Sequence, residues 1–143
     1  CYSTGPRGEM PGRFETVDQS RENLKKKGLE VTVKNIAMTW FVKGEDAKYF
    51  NICIEAGKQA SMETADNALV AFKNWNGVDT LKNIKNDTLI IWGDQDKSYN
   101  LEQVQTLEKN ITNSKLVIIK NCAHNVHLER PEHFNNTVRD FLI

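Results

Sequence analysis

The sequence predicts an α/β fold with a short parallel sheet flanked by helices. Three observations carry this. Thr88-Leu89-Ile90-Ile91-Trp92 and Leu116-Val117-Ile118-Ile119 are short apolar runs rich in β-branched residues, the pattern of buried strands. Between them Leu101, Val104, Leu107 and Ile111 recur at spacings of three and four, which marks an amphipathic helix. A helix joining two buried strands is a right-handed crossover, and a crossover makes its strands parallel.

The remaining elements follow in order. Residues 1–14 hold Gly5-Pro6 and Pro11-Gly12, so a strand end followed by an irregular loop is expected. The glycines there match neither G-x-x-x-x-G-K nor G-x-G-x-x-G, so no phosphate loop is read. Residues 15–28 read as a helix stopped by Gly28, with Val17 and Leu24 on its apolar face and Lys25-Lys26-Lys27 as its solvated end. Residues 29–43 fit either a short strand, from the early alternation, or a helix through Ile36 to Val42. Residues 45–56 read as a helix stopped by Gly57, with Tyr49, Phe50, Cys53 and Ile54 on one side. Ser61 to Trp75 is a third helix, capped by Ser61 with Thr64 and striped by Ala65, Ala68, Leu69, Phe72 and Trp75. Asn76-Gly77 is a turn, and Leu81 and Ile84 anchor the approach to the first strand. After the second strand, Pro131 opens a closing helix that carries Phe134, Val138, Phe141 and Leu142.

Bulk properties exclude several classes. The 143 residues carry 19 basic and 19 acidic side chains, so no net field favours nucleic acid or acidic lipid. Mean hydropathy is −0.56, and no apolar run approaches a membrane span. Cys1, Cys53 and Cys122 are too few and too scattered for a disulfide framework, so a reducing, cytoplasmic setting is expected.

The chemistry concentrates past the strand ends, where ligands of open α/β sheets bind. The first strand breaks at Gly93 into Asp94-Gln95-Asp96, and the second leads through Cys122-Ala123 to His124. A carboxylate and an imidazole at adjacent strand ends are the orienter and base of a nucleophilic triad. His124, His127 and His133 with Glu129 and Glu132 invite a metal reading. Their spacing is not H-E-x-x-H, and Pro131 divides them between local structures, so no metal is expected. Cys122 lies on the histidine loop, away from any strand-to-helix elbow, which argues against a nucleophile role.

The pairing of LIIWGDQD with CAHNVHLERPEHFNNTVRDFL, about 30 residues apart, resembles the C-terminal part of the α/β-hydrolase fold superfamily. Gly93 to Asp96 matches that family's acid-bearing Gly-x-x-Asp turn. His124, Leu128, Glu129, Pro131, Glu132 and Phe134 match its histidine loop and helix start in order, with Ala123 where glycine is usual. The likeness is strongest over Leu81 to Ile143. It implies His124 as base and Asp96, in preference to Asp94, as the orienting acid. It implies a division into the end of a core strand and loop (1–14), a helical lid (15–78) and the C-terminal part of the core (79–143). It also implies hydrolysis of an ester, lactone or similar small apolar substrate without a cofactor, haloalkanes and epoxides being further possibilities in the superfamily. Trp40, Phe41, Tyr49, Phe50, Phe72 and Trp75 are the aromatic candidates for lining the substrate pocket.

None of Ser3, Ser20, Ser61, Ser98 and Ser114 sits in a Gly-x-Ser-x-Gly elbow. The expectation is therefore a portion of a longer hydrolase, or a truncated relative, inactive alone and prone to self-association through an exposed sheet edge or apolar face. The alternative is a non-catalytic binding module that keeps the fold.

Overall fold

The computed structural model describes residues 1–9 and 11–143. Its sheet pairs β1 (Thr88–Gly93) with β2 (Ser114–Ile119) in parallel, in register from Thr88 opposite Ser114 to Gly93 opposite Ile119. On the free side of β1 the chain start adds a single bridge. Tyr2 lies parallel to Ile91, and the Ile91 amide donates to the Cys1 carbonyl at 3.0 Å.

Alternation along β1 sends its side chains to two cores. Ile90 and Trp92 pack with Leu81, Val104, Leu107 and Ile111, which places α4 (Leu101–Asn110) on one face. Leu89 and Ile91 pack with Ile119, Cys122 and Val126, and Tyr2, Phe134 and Val138 close that face. Val126 belongs to the short α5 (Val126–Glu129), and Phe134 and Val138 to α6 (Pro131–Leu142), which starts on its proline. β1 is thus covered on both faces, as a parallel strand should be.

β2 departs from the buried strand expected for Leu116–Ile119. Only Ile119 is buried, and Ile118 is 38% exposed. The reason is position: β2 has β1 on one side and, among the described residues, no strand on the other, so it is an edge strand. The last turn of α6 is likewise open, with Leu142 exposed.

Helices α1 (Val17–Met38), α2 (Phe50–Gly57) and α3 (Met62–Asn74) form a separate layer. Thr16 and Gln19 make a reciprocal capping box at the start of α1, and Ser61 accepts from the Thr64 amide at the start of α3. Gly28, at φ 80° and ψ 173°, breaks α1 sharply, in a region open essentially to glycine alone. The helix then resumes through Met38. The alternation of Val31 and Val33 therefore lies on a helix, and among the described residues no strand pairs with that segment. The expected helix over 45–56 begins only at Phe50. Gly44–Asp46 is a 3-10 turn, and Ala47 is extended. Arg21 grips Asp66 through Nε and Nη2 at 2.7 and 2.9 Å, fastening α1 to α3. Ala37, Phe41, Phe50 and Ile54 make this layer's core, and Leu128 of α5 packs against it.

Candidate active site

The loops leaving β1 and β2 are locked together by backbone. The Asp94 amide donates to the Ile119 carbonyl at 3.1 Å, and the Gln95 amide to the Cys122 carbonyl at 2.9 Å. Gly93 makes this approach possible. A Cβ there would lie 2.2 Å from the Ala123 oxygen and 2.4 Å from the Cys122 oxygen. The left-handed residue that turns the histidine loop is Asn121, at φ 54°. Asparagine tolerates that conformation. Ala123 has no positive φ, so alanine in place of the family's usual glycine carries no strain on that account.

Across this junction His124 Nδ1 lies 3.0 Å from Asp96 Oδ2. The Asp96 side chain is 1% exposed and that of His124 16%. The other carboxylate oxygen, Oδ1, accepts from the amides of Ser98 at 2.7 Å and Tyr99 at 3.3 Å. Backbone donors thus hold the carboxylate in one rotamer with Oδ2 aimed at the ring. Asp94 is turned elsewhere: Oδ1 faces the Cys122 amide at 3.4 Å and Oδ2 faces Lys120 at 3.6 Å. The structure therefore pairs Asp96, and not Asp94, with His124.

Two aromatic rings lie nearly parallel to the imidazole. Trp40 has its centroid 5.7 Å away at 27°, and Tyr99 6.1 Å away at 22°. Tyr99 is held in turn by Trp92, whose indole N–H donates to its carbonyl at 2.9 Å. The His124 carbonyl accepts from the hydroxyls of Tyr2, at 3.2 Å, and Ser3. Nε2 has no hydrogen-bond partner among the described residues.

Glu129 braces the same loop. Oε2 accepts from the Ala123 amide at 2.7 Å, and Oε1 from the Val42 amide at 2.8 Å in the helical layer. The Asn125 amide adds a second tie by donating to the Trp40 carbonyl at 3.0 Å. Cys122 is fully buried beneath this brace. Burial, and then the nearby Glu129 carboxylate, push its thiol up to about 12. A thiol held neutral is no nucleophile. His127 contacts Tyr2 through Nδ1 and edge-on ring packing. Burial, and then His124, hold it below the usual histidine range. His133 is on exposed α6 surface. Among the described residues no three His, Cys, Asp or Glu side chains converge as a metal site would require.

A cavity of about 750 Å³ lies between α1, α2, α3 and the start of α5. Its wall is mostly aliphatic, with Trp40, Phe72, Asn125 and His127 among the lining residues. The six aromatic candidates thus divide. Trp40 and Phe72 line this cavity. Phe41 and Tyr49 face a smaller one, of about 320 Å³, and Phe41 and Phe50 meet edge-to-face in the layer's core. Trp75 lies outside, 51% exposed, because α3 ends at Asn74 and the extended backbone at Trp75 leaves the helical stripe. Tyr99 and Glu129 are the residues that sequence reasoning missed as site components. Tyr99 carries no local pattern, and Glu129 was visible only in the helix-start motif and in the histidine–glutamate cluster set aside as a metal site.

The α/β hydrolase fold family's model matches residues 13–131. The chain belongs to the α/β hydrolase fold family. Its relatives include a rat (Rattus norvegicus) monoacylglycerol lipase ABHD6, 41% identical over 64 residues, a stretch that covers 45% of this chain and 19% of the lipase. A Pseudomonas putida 2-hydroxy-6-oxononadienedioate/2-hydroxy-6-oxononatrienedioate hydrolase is 39% identical over 62 residues, 43% of this chain and 22% of that enzyme. Among solved structures, the enol-lactonase from Burkholderia xenovorans LB400 superposes with a TM-score of 0.82 at 20% identity, over 98% of this chain and 54% of the lactonase. An esterase from Exiguobacterium antarcticum gives 0.80 at 23% identity, over 87% and 46%. This member of the hydrolase family thus spans about half the length of the solved structures it resembles. Among the described residues no helix is long and apolar enough to cross a membrane.

Proposed function

We propose that this chain carries the base and the orienting acid of a Ser-His-Asp acyl hydrolase, His124 and Asp96, and that the serine comes from a segment outside these 143 residues. The observation that carries the reading is the 3.0 Å contact between Asp96 and His124 Nδ1 at the ends of two parallel strands, with Nε2 unpartnered among the described residues. In this reaction Nε2 takes the proton from the serine hydroxyl as the oxygen attacks the substrate carbonyl. The ring then returns that proton to the leaving alcohol, and water repeats the cycle on the acyl-enzyme. Asp96 keeps the ring in the Nδ1–H tautomer and stabilises the imidazolium. The faces of Trp40 and Tyr99 favour the same cation.

Residues 1–14, 15–78 and 79–143 serve as core strand end with loop, lid, and C-terminal core. The aliphatic cavity under the lid suits the acyl part of a small apolar ester or lactone. Relatives named as lipase, esterase and lactonase favour that class. Three unpaired thiols fit a reducing cytoplasm. The exposed edge of β2, with Ile118 uncovered, favours self-association. Inactivity of the chain alone rests on its serines. Ser3 bonds the His124 carbonyl, Ser20 bonds Glu15, Ser61 caps α3, and Ser114 bonds helix-end carbonyls. The Ser98 amide is spent on Asp96, and none of the five hydroxyls contacts the His124 ring among the described residues.

The test is hydrolysis of a p-nitrophenyl ester by the gene product read from its own start codon. His124→Ala and Asp96→Asn should each lower kcat by roughly 10⁴-fold or more. The 143-residue chain should show no turnover. Unchanged rates in both variants would refute the assignment, and no hydrolysis by the parent would favour a binding module. Turnover by the isolated chain, lost in His124→Ala, would refute its inactivity.

A further inference from the structure

The smaller cavity, of about 320 Å³, stands apart from the one beneath the helical layer and shares only Leu128 with it. It opens where the segment after α1 meets the loops past β1 and β2. Phe41 and Leu128 give it an apolar floor, and Lys43, Lys48 and Arg130 line it with positive charge.

The electrostatics of these groups are unusual. Neither lysine has a carboxylate within ion-pair distance among the described residues, and Lys48 lies over the Tyr49 ring at 4.9 Å. Arg130 is fixed by two carbonyls: Nη1 donates to Glu129 at 3.2 Å and Nη2 to Asn121 at 2.9 Å. Those bonds use two of the five guanidinium donors and neutralise none of its charge. Among the described residues Glu129 is the one carboxylate in the lining, and both its oxygens accept backbone amides. The cavity therefore holds an excess of two positive charges over an apolar floor. Gln95 and Asn121 are further polar residues in its lining.

We infer that this cavity binds a small organic oxyanion, a carboxylate or phosphate monoester on a compact apolar body. Its volume is at the lower end for ligand pockets, which excludes a long chain. The pre-positioned Arg130 supplies directional donors, and the two lysines supply mobile charge. The inference does not depend on the hydrolase reading. It places the ligand against Gln95 and Asn121, one on each of the loops that bring Asp96 to His124.

The test is ¹H–¹⁵N NMR titration of the 143-residue chain at low salt with phenyl phosphate, benzoate and inorganic phosphate. Phenyl phosphate or benzoate should saturate with a Kd of about 1 mM or tighter and shift the amides of Val42, Gln95, Asn121 and Arg130. The surface variant K43Q/K48Q should bind at least tenfold more weakly and keep the rest of its spectrum. Inorganic phosphate should bind more weakly than phenyl phosphate. Equal binding of the two would overturn the organic body and leave a bare charge site. No shift up to about ten times that concentration, or affinity unchanged in K43Q/K48Q, would overturn the site.

Discussion

Gly93→Ala tests how the two strand-end loops are held. The new methyl would lie 2.2 Å from the Ala123 oxygen and 2.4 Å from the Cys122 oxygen. Ordinary carbon–oxygen contact needs more than a further ångström, and the obstacles are backbone atoms with no rotamer to change. The loops must part by about 1 Å, enough to break the 2.9 Å bond from the Gln95 amide to Cys122 and the 3.1 Å bond from Asp94 to Ile119. Overpacking costs about 1–3 kcal/mol, and each lost hydrogen bond about 1 kcal/mol. A total of roughly 3–5 kcal/mol corresponds to a fall in Tm of roughly 10–15 °C for a chain of this size. Thermal unfolding followed by circular dichroism measures that fall. Amide hydrogen exchange at Asp94 and Gln95 shows whether it originates at the junction. A Tm within about 2 °C of the parent, with both amides still protected, would refute the close approach.

Other outcomes follow from the same geometry. Glu129→Ala orphans the buried Ala123 amide and should cost about 1–3 kcal/mol in chemical denaturation. Glu129→Gln keeps an acceptor and should recover part of it; equal losses would show that the brace does not act through its oxygens. Cys122, buried and with its thiol raised to about 12, should resist a thiol reagent until the chain unfolds, while exposed Cys1 reacts at once. Equal native rates would contradict the packing of that loop. Burial and His124 lower the folded-state affinity of His127 for protons. The folded state then binds fewer protons than the unfolded one, so this contribution is fully present above the unfolded value of about 6.5 and is lost as pH falls through the lowered folded value. Denaturation midpoints should therefore fall more steeply on acidification in the parent than in His127→Gln. Parallel curves would refute the shift.

The parts of this fold that were legible in the sequence are those set by local periodicity. The β-branched runs around Ile90 and Val117, and the three-four spacing of Val104, Leu107 and Ile111, specify two parallel strands and a crossover helix. Gly93 to Asp96 and Cys122 to Pro131 placed a carboxylate and an imidazole at neighbouring strand ends, and the structure brings those two side chains together. What escaped depends on tertiary context. Val31 and Val33 alternate like a strand but lie on α1, where Val33 packs against the core of the helical layer. Ile118 reads as buried, yet the sheet ends beside it. Trp75 continues the stripe of α3 in sequence, but the helix stops one residue earlier. Tyr99 and Glu129 act through contacts with residues far along the chain, at His124 and Val42, and no spacing encodes such contacts.

The most direct test of the central claim is the protonation state of the His124 ring in the 143-residue chain. Long-range ¹H–¹⁵N spectra at about pH 8, above the ordinary histidine value, distinguish the two tautomers. The expected result is a hydrogen on Nδ1, directed at Asp96, and a bare Nε2 able to accept a serine proton, a preference that Asp96→Asn should remove. A hydrogen on Nε2 in the parent, or a tautomer indifferent to Asp96→Asn, would contradict the pairing of Asp96 with His124 as orienting acid and base.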